Sequence, residues 1–156
     1  MNNDTARRHT ALTLETACTI IDAVLEAGRA NGMLPLTVVV LDSGGHAMAL
    51  KREDGSGILR LDIAIGKAYG ALGLGVSSRV LRDVALDRPM FTTAVSVAAG
   101  GRFVPVPGGV LVCDPEGPVI GAVGVSGDTS DNDELCAIVG INAAGLVSDP
   151  KTAVGK

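Results

Sequence analysis

Apolar residues recur at Leu14, Ala17, Cys18, Ile21, Leu25 and Gly28, while Glu15, Asp22, Glu26 and Arg29 fall largely on the other side. That 3.6-residue period predicts an amphipathic first helix. Thr13 precedes it as an N-cap and Asn31-Gly32 follows as a stop. After Pro35 the pattern changes: Leu36-Thr37-Val38-Val39-Val40-Leu41-Asp42 is β-branched and too short for a helix. It predicts a strand buried on both faces. Ser43-Gly44-Gly45 is a tight-turn sequence, and His46 to Arg52 returns as the second strand of a hairpin.

Ile58, Leu61, Ile65, Ala68, Tyr69 and Leu72 restore helical spacing over 58–74. Gly66, Gly70 and Gly73 interrupt it, and each costs about 1 kcal/mol in a helix relative to Ala. Close packing against the sheet or a second copy would offset that cost. Ser77 or Ser78 caps a third helix with Val80, Leu81, Val84 and Ala85 facing inward, and Pro89 to Ala99 forms a short helical segment ending at Gly100-Gly101. Arg102-Phe103-Val104 reads as a short extended piece. Pro105-Val106-Pro107-Gly108-Gly109 excludes regular helix and central strand, because two prolines remove donors. Val110 to Cys113 and Val119 to Ser126 flank the turn Asp114-Pro115-Glu116-Gly117-Pro118, a second hairpin. A final helix is expected from Asp131 to about Val147, with Leu135, Ile138, Val139 and Leu146 inward. Hairpins in place of β–α–β alternation predict an α/β (α+β) architecture: one antiparallel sheet flanked by helices. Residues 11–148 form the single expected domain, with flexible tails at 1–10 and 149–156.

The chain has 156 residues, 47% of them hydrophobic, and only Tyr69, Phe91 and Phe103 are aromatic. The core must be aliphatic, and no stacking platform for single-stranded nucleic acid is available. Thirteen basic and 17 acidic residues give a net charge of −4, which also argues against a phosphate-backbone partner. A mean hydropathy of +0.38 in so small a chain points to apolar surface hidden between copies, hence a homo-oligomer. Cys18, Cys113 and Cys136 are widely spaced among aliphatic residues and read as buried small hydrophobes. No run is long enough for a membrane span, and the N-terminus lacks a signal-peptide pattern; the expectation is a cytoplasmic protein.

A few residues could carry chemistry. His46 follows the Gly-Gly turn and His9 sits in the N-terminal tail; His46 is either a solvated turn residue or a metal or haem ligand or base. Lys67 stands in an otherwise apolar helix, beside Ile63, Ala64, Gly70 and Ala71. It either snorkels to water or meets an anion in a pocket. Gly127 and Asp128 leave a strand and enter a helix, where free N–H groups favour negative charge. Asp128, Asp131 and Asp133 already bring charge there as caps. The Pro107-Gly108-Gly109 stretch is either a rigid wall beside a cleft or a plain crossover.

Four blocks stand in order: Leu41-Asp42-Ser43-Gly44-Gly45-His46; Lys51-Arg52-Glu53-Asp54-Gly55 with Asp62-Ile63-Ala64-Ile65-Gly66-Lys67-Ala68; Pro105-Val106-Pro107-Gly108-Gly109; and Ile120-Gly121-Ala122-Val123-Gly124-Val125-Ser126-Gly127 followed by Asp128 and Asp133-Glu134. Together they resemble the GlcG/HbpS-like haem-binding family, which includes the C-terminal domain of PduO-type cobalamin adenosyltransferases. The resemblance implies a profilin-like antiparallel sheet of about five strands sandwiched by helices, and assembly into dimers or larger rings. It also implies haem or another small anionic ligand. Lys67 and Arg102 would then meet propionates or carboxylates beside Pro107, Gly108, Gly109 and Gly127, with His46 or His9 on iron. A different reading is a lyase, isomerase or tautomerase of a small carboxylic acid in a catabolic pathway. There Lys67 would bind the carboxylate or act as base, and Asp62 or Asp128 would be its acid/base partner. A third is an accessory structural subunit without a ligand.

Overall fold

The first helix, α1 (Leu14–Ala30), starts where expected: the Thr13 hydroxyl accepts the Thr16 amide N–H at 3.1 Å. It ends at Asn31, with Gly32 at φ +63°. The computed structural model describes residues 11–153, so His9 lies outside the described residues. β1 (Thr37–Asp42) and β2 (Ala47–Arg52) form the first hairpin, β3 (Gly109–Cys113) and β4 (Val119–Ser126) the second. β1 pairs antiparallel with β4, welding the hairpins into one sheet of order β2-β1-β4-β3-β5. β1 is buried on both faces, as its continuous apolar run predicts, and β2 is an exposed edge.

One sheet face carries α1 and α5 (Ser130–Ala143) over a core that includes Ile20, Ile21, Val24, Val38, Val123 and Ile141. The other carries α2 (Arg60–Leu74), packed through Ala64, Ala68 and Ala71 on Val39, Leu41, Leu111 and Ala122. α3 (Ser78–Asp87) and α4 (Pro89–Ala98) follow, and α4 buries no residue. Among the described residues no helix is long and apolar enough to cross a membrane.

Four expectations need correction. α5 stops at Ala143 instead of running to Val147, because Gly145 turns the chain at φ +75° and β5 (Val147–Asp149) then pairs with β3. Val139 and Val80 are exposed, because their helices turn other faces inward. Ile58, expected on the apolar face of the second helix, precedes α2 and is exposed. Only Cys136 is buried; Cys18 and Cys113 are half-buried.

Candidate functional site

Two glycines decide how close α2 lies to the sheet. Gly109 and Gly124 are paired across β3 and β4. A Cβ on Gly109 would lie 2.3 Å from the Lys67 carbonyl oxygen, and one on Gly124 would lie 1.9 Å from that of Ala64. Only bare backbone admits this approach. It carries the Lys67 side chain through to the start of α5, where Nζ donates to the Val125 carbonyl at 2.9 Å and to Asp133 Oδ2 at 2.8 Å. Gly108, at φ +118°, presses on the same ammonium: a Cβ there would sit 2.8 Å from it.

Lys67, the Pro107-Gly108-Gly109 stretch and the last helix's beginning do meet. They close on one another instead of enclosing a hollow: Lys67 is 2% exposed and Asp133 1%. The anion Lys67 meets is internal, so it neither snorkels to water nor faces a ligand pocket. Burial, chiefly, pulls the Lys67 ammonium below its ordinary value, against the attraction of Asp133. Burial likewise pushes the Asp133 carboxyl up, against the attraction of Lys67. Asp133 Oδ1 also accepts the Asp128 amide N–H at 3.0 Å.

A second buried pair flanks the first. Arg79, at the start of α3, donates from Nε to Glu134 Oε2 at 2.8 Å and bridges to Asp131. The Glu134 hydrogen bond is the main reason the guanidinium holds its proton more tightly than usual. Ser78 Oγ accepts the Gly109 amide N–H at 2.7 Å, tying α3 to β3. Glu134 is 0% exposed. Sequence reasoning missed Arg79, Asp133 and Glu134 as a network, since charged residues at a helix start read as solvated caps.

Two further candidates stay outside this cluster. Asp62 is exposed in the first turn of α2 and makes no side-chain hydrogen bond among the described residues. Asp128 accepts the amide N–H groups of Leu34 (2.9 Å) and Thr129 (2.8 Å) and the Asn132 side chain (2.6 Å). These bonds, Leu34's first, hold its carboxyl below the ordinary value. Gly127 is pressed against the link before β1, where a Cβ would lie 2.4 Å from the Pro35 carbonyl oxygen.

Arg102 and His46 lie elsewhere: Arg102 on the Tyr69 ring, and His46 next in the chain to Gly45, which meets the same ring. The His46 side chain is 82% exposed, with Nδ1 3.3 Å from Asp42 Oδ1. That oxygen also accepts the amide N–H groups of Gly44 and His46, each at 2.9 Å. Slight burial would raise the Asp42 carboxyl, but these bonds and the neighbouring imidazole outweigh it and the net shift is downward. Gly45, at φ +80°, comes against the Tyr69 ring, which a Cβ would meet at 2.9 Å. Over the same ring, at 4.0 Å from its centroid, lies the Arg102 guanidinium. Arg102 Nε donates to the Ala99 carbonyl at 3.2 Å, and no carboxylate pairs with it among the described residues. Beside Tyr69 an apolar cleft of about 290 Å³ opens between α2 and α4. A wider, open depression of about 620 Å³ lies at the end of α1 and β2. Part of its charge is paired locally: Arg29 faces Glu53, and Lys51 pairs with Asp22.

Residues 12–142 match the profile described as "Haem degrading protein HbpS-like". The chain belongs to the HbpS-like family. An uncharacterized 15.0 kDa protein from the dhaT-dhaS intergenic region of Citrobacter freundii is 33% identical over 126 residues, covering 81% of this chain and 87% of that protein. Among solved structures, the ORFY protein of Klebsiella pneumoniae superposes with a TM-score of 0.76 at 26% identity, covering 93% of this chain and 97% of that one. The PduOC:haem complex gives a TM-score of 0.78 at 22% identity, covering 88% and 97%. As an HbpS-like protein, this chain has the family's α+β fold, a five-stranded antiparallel sheet with helices on both faces. Both the closed charge cluster and the Tyr69 region fall inside the matched segment.

Proposed function

We infer that this protein binds a small anionic ligand, haem foremost, at the surface formed by His46, Tyr69 and Arg102. The observation that carries the reading is the state of His46. Its ring is 82% exposed while Asp42 engages Nδ1, and Nε2 makes no hydrogen bond among the described residues. A carboxylate on one ring nitrogen with the other directed outward is the arrangement that orients imidazole for a metal. Arg102 adds an unpaired cation for a propionate or carboxylate. This donor set fits haem, which when bound would supply a redox-active iron centre. The chain's own groups would hold and orient it: His46 on the iron, Asp42 behind His46, Arg102 on a carboxylate. His9 is the other histidine available as a ligand.

The cleft beside Tyr69, at about 290 Å³, falls just short of the roughly 300–1,000 Å³ typical of sites that enclose drug-sized ligands. A porphyrin would therefore lie across the surface, covered on its far side by another copy. A homo-oligomer accordingly belongs to this reading, and α4, exposed along its length and carrying Met90, Phe91 and Val97, offers an apolar face for it. The enzymatic alternative is less favoured. A lyase, isomerase or tautomerase built on Lys67 would have to break its bonds to Asp133 and Val125, and Asp62 and Asp128 face elsewhere.

Haemin titration tests this. Wild type should give a saturable Soret band, with His46→Ala weakening it about tenfold or more and Arg102→Gln weakening it less. No saturable band in wild type removes the haem reading. Loss on His9→Ala but not on His46→Ala removes His46 as the ligand.

A further inference from the structure

The three glycines of α2 are not equivalent. A Cβ on Gly66 would meet Val104 at 2.6 Å, and one on Gly70 would meet Phe103 at 2.9 Å. Both glycines are explained by the segment after α4 that packs on them. Gly73 is not: a Cβ there meets nothing within 4 Å, and its φ is not left-handed. A poor helix former therefore stands where the fold would accept almost any side chain. What Gly73 opens onto is the cleft, with Tyr69 and Phe103 as aromatic walls and Val95 and Ala98 of α4 opposite.

The walls themselves carry no charge, and one cation stands against them. Arg102 precedes the wall residue Phe103, stacks on the wall residue Tyr69 and bonds the carbonyl of the wall residue Ala99. These contacts fix the guanidinium through its face and Nε. Its terminal nitrogens are left without a partner among the described residues. A guanidinium held this way is pre-organised for a carboxylate. The volume limits the occupant to something much smaller than a porphyrin.

We propose that this cleft is a binding site for a fragment-sized apolar monocarboxylate. Its hydrocarbon body lies over Gly73 between Tyr69, Phe103 and Val95, and its carboxylate is held by Arg102. The absent Gly73 side chain leaves room for the ligand, and Arg102 selects its charge. The site shares Tyr69 and Arg102 with the haem reading and rests on Arg102 as its anion-binding group, but it uses neither His46 nor iron, so the two readings fail in different measurements.

The test is calorimetric titration of haem-free wild type with benzoate as the probe, and benzyl alcohol and benzamidine as neutral and cationic controls of similar shape. Benzoate should bind saturably at one per chain, about tenfold or more tighter than benzyl alcohol, with benzamidine weakest. Arg102→Gln should erase the preference for benzoate over benzyl alcohol. Gly73→Leu should abolish binding of both while keeping or raising the melting temperature. Ala98→Phe fills the same cleft from α4 and should do likewise if Gly73→Leu folds poorly. Absence of saturable benzoate binding in wild type overturns the proposal, as does wild-type affinity in both cleft-filling variants. So does light scattering that shows Gly73→Leu dissociating an oligomer, which would make the occupant a second copy of the chain. Because no haem is present, none of these results is confounded with a missing Soret band.

Discussion

Two regions of this molecule are built from similar groups and end in opposite states. At the start of α5, Lys67, Arg79, Asp133 and Glu134 are withdrawn from water, and each finds its counter-charge within the chain. At the Tyr69 ring, Arg102 is stacked on its face, and His46, one residue past Gly45, stays exposed with Asp42 at one ring nitrogen. Each keeps unused hydrogen-bonding capacity facing outward. A charge satisfied inside the fold contributes to the fold; a charge fixed by contacts that leave donors free can recognise a ligand. The difference separates the structural cluster from the candidate site more clearly than residue type does.

The sharpest way to break this comparison is to remove one partner of the buried cluster. Lys67→Ala leaves Asp133 buried without its cation, and a buried pair broken on one side costs about 3–5 kcal/mol. Urea unfolding should show that loss. The double variant Lys67→Met/Asp133→Leu should recover most of it, because the desolvation of both ions disappears together. A loss below about 1 kcal/mol in Lys67→Ala would mean that Lys67 is not committed to the fold and is free for substrate. Next in size is Gly108→Ala. The residue sits at φ +118°, and its new methyl would lie 2.8 Å from the Lys67 ammonium and from the Val125 carbonyl. Backbone strain of this kind costs about 1–3 kcal/mol, again read by denaturant midpoint, and a stability equal to wild type would show that the loop is not clamped on Lys67.

Sequence made the fold legible wherever side-chain period and turn chemistry agreed. α1, both hairpins and α2 follow from apolar spacing bounded by Thr13, Asn31-Gly32, Ser43-Gly44-Gly45 and Asp114 to Pro118. α5 forms as expected, but its buried face was misread for a physical reason. Its inward face carries Asp133 and Glu134 beside Cys136, Ala137 and Ile141, so apolar periodicity points to the wrong residues. β5 failed because three residues, Val147–Asp149, are too few to show a period. At the site, Lys67 was legible as anomalous, a lysine among small apolar neighbours, and its convergence with the diglycine loop followed from the topology. Its closure did not, because the burial of Asp133 is a tertiary fact. Tyr69 left one usable signal: it is the chain's single tyrosine, placed one turn from the end of α2.

The smallest effect sharpens the comparison through pH. Asp128 is half-exposed, and its hydrogen bonds from Leu34, Asn132 and Thr129 hold its carboxyl below the ordinary value of 3.8. The unfolded chain therefore takes up this proton before the folded one does. The contribution of Asp128 to stability is complete above 3.8 and is lost as the pH falls through the lower folded value. Asp133 runs the other way. Its folded carboxyl is pushed up, so the folded chain binds the proton first and the cost of keeping it charged is relieved on acidification. Asp42 shares the sign of Asp128. Asp128→Asn should therefore be somewhat less stable than wild type at neutral pH and lose less of its stability on acidification, the two curves converging at low pH. Water screens Asp128, so the gap stays well below that of Lys67→Ala. Thermal melts across the acid range read it directly. A gap that stays constant on acidification would mean that the acid sensitivity comes from groups other than Asp128.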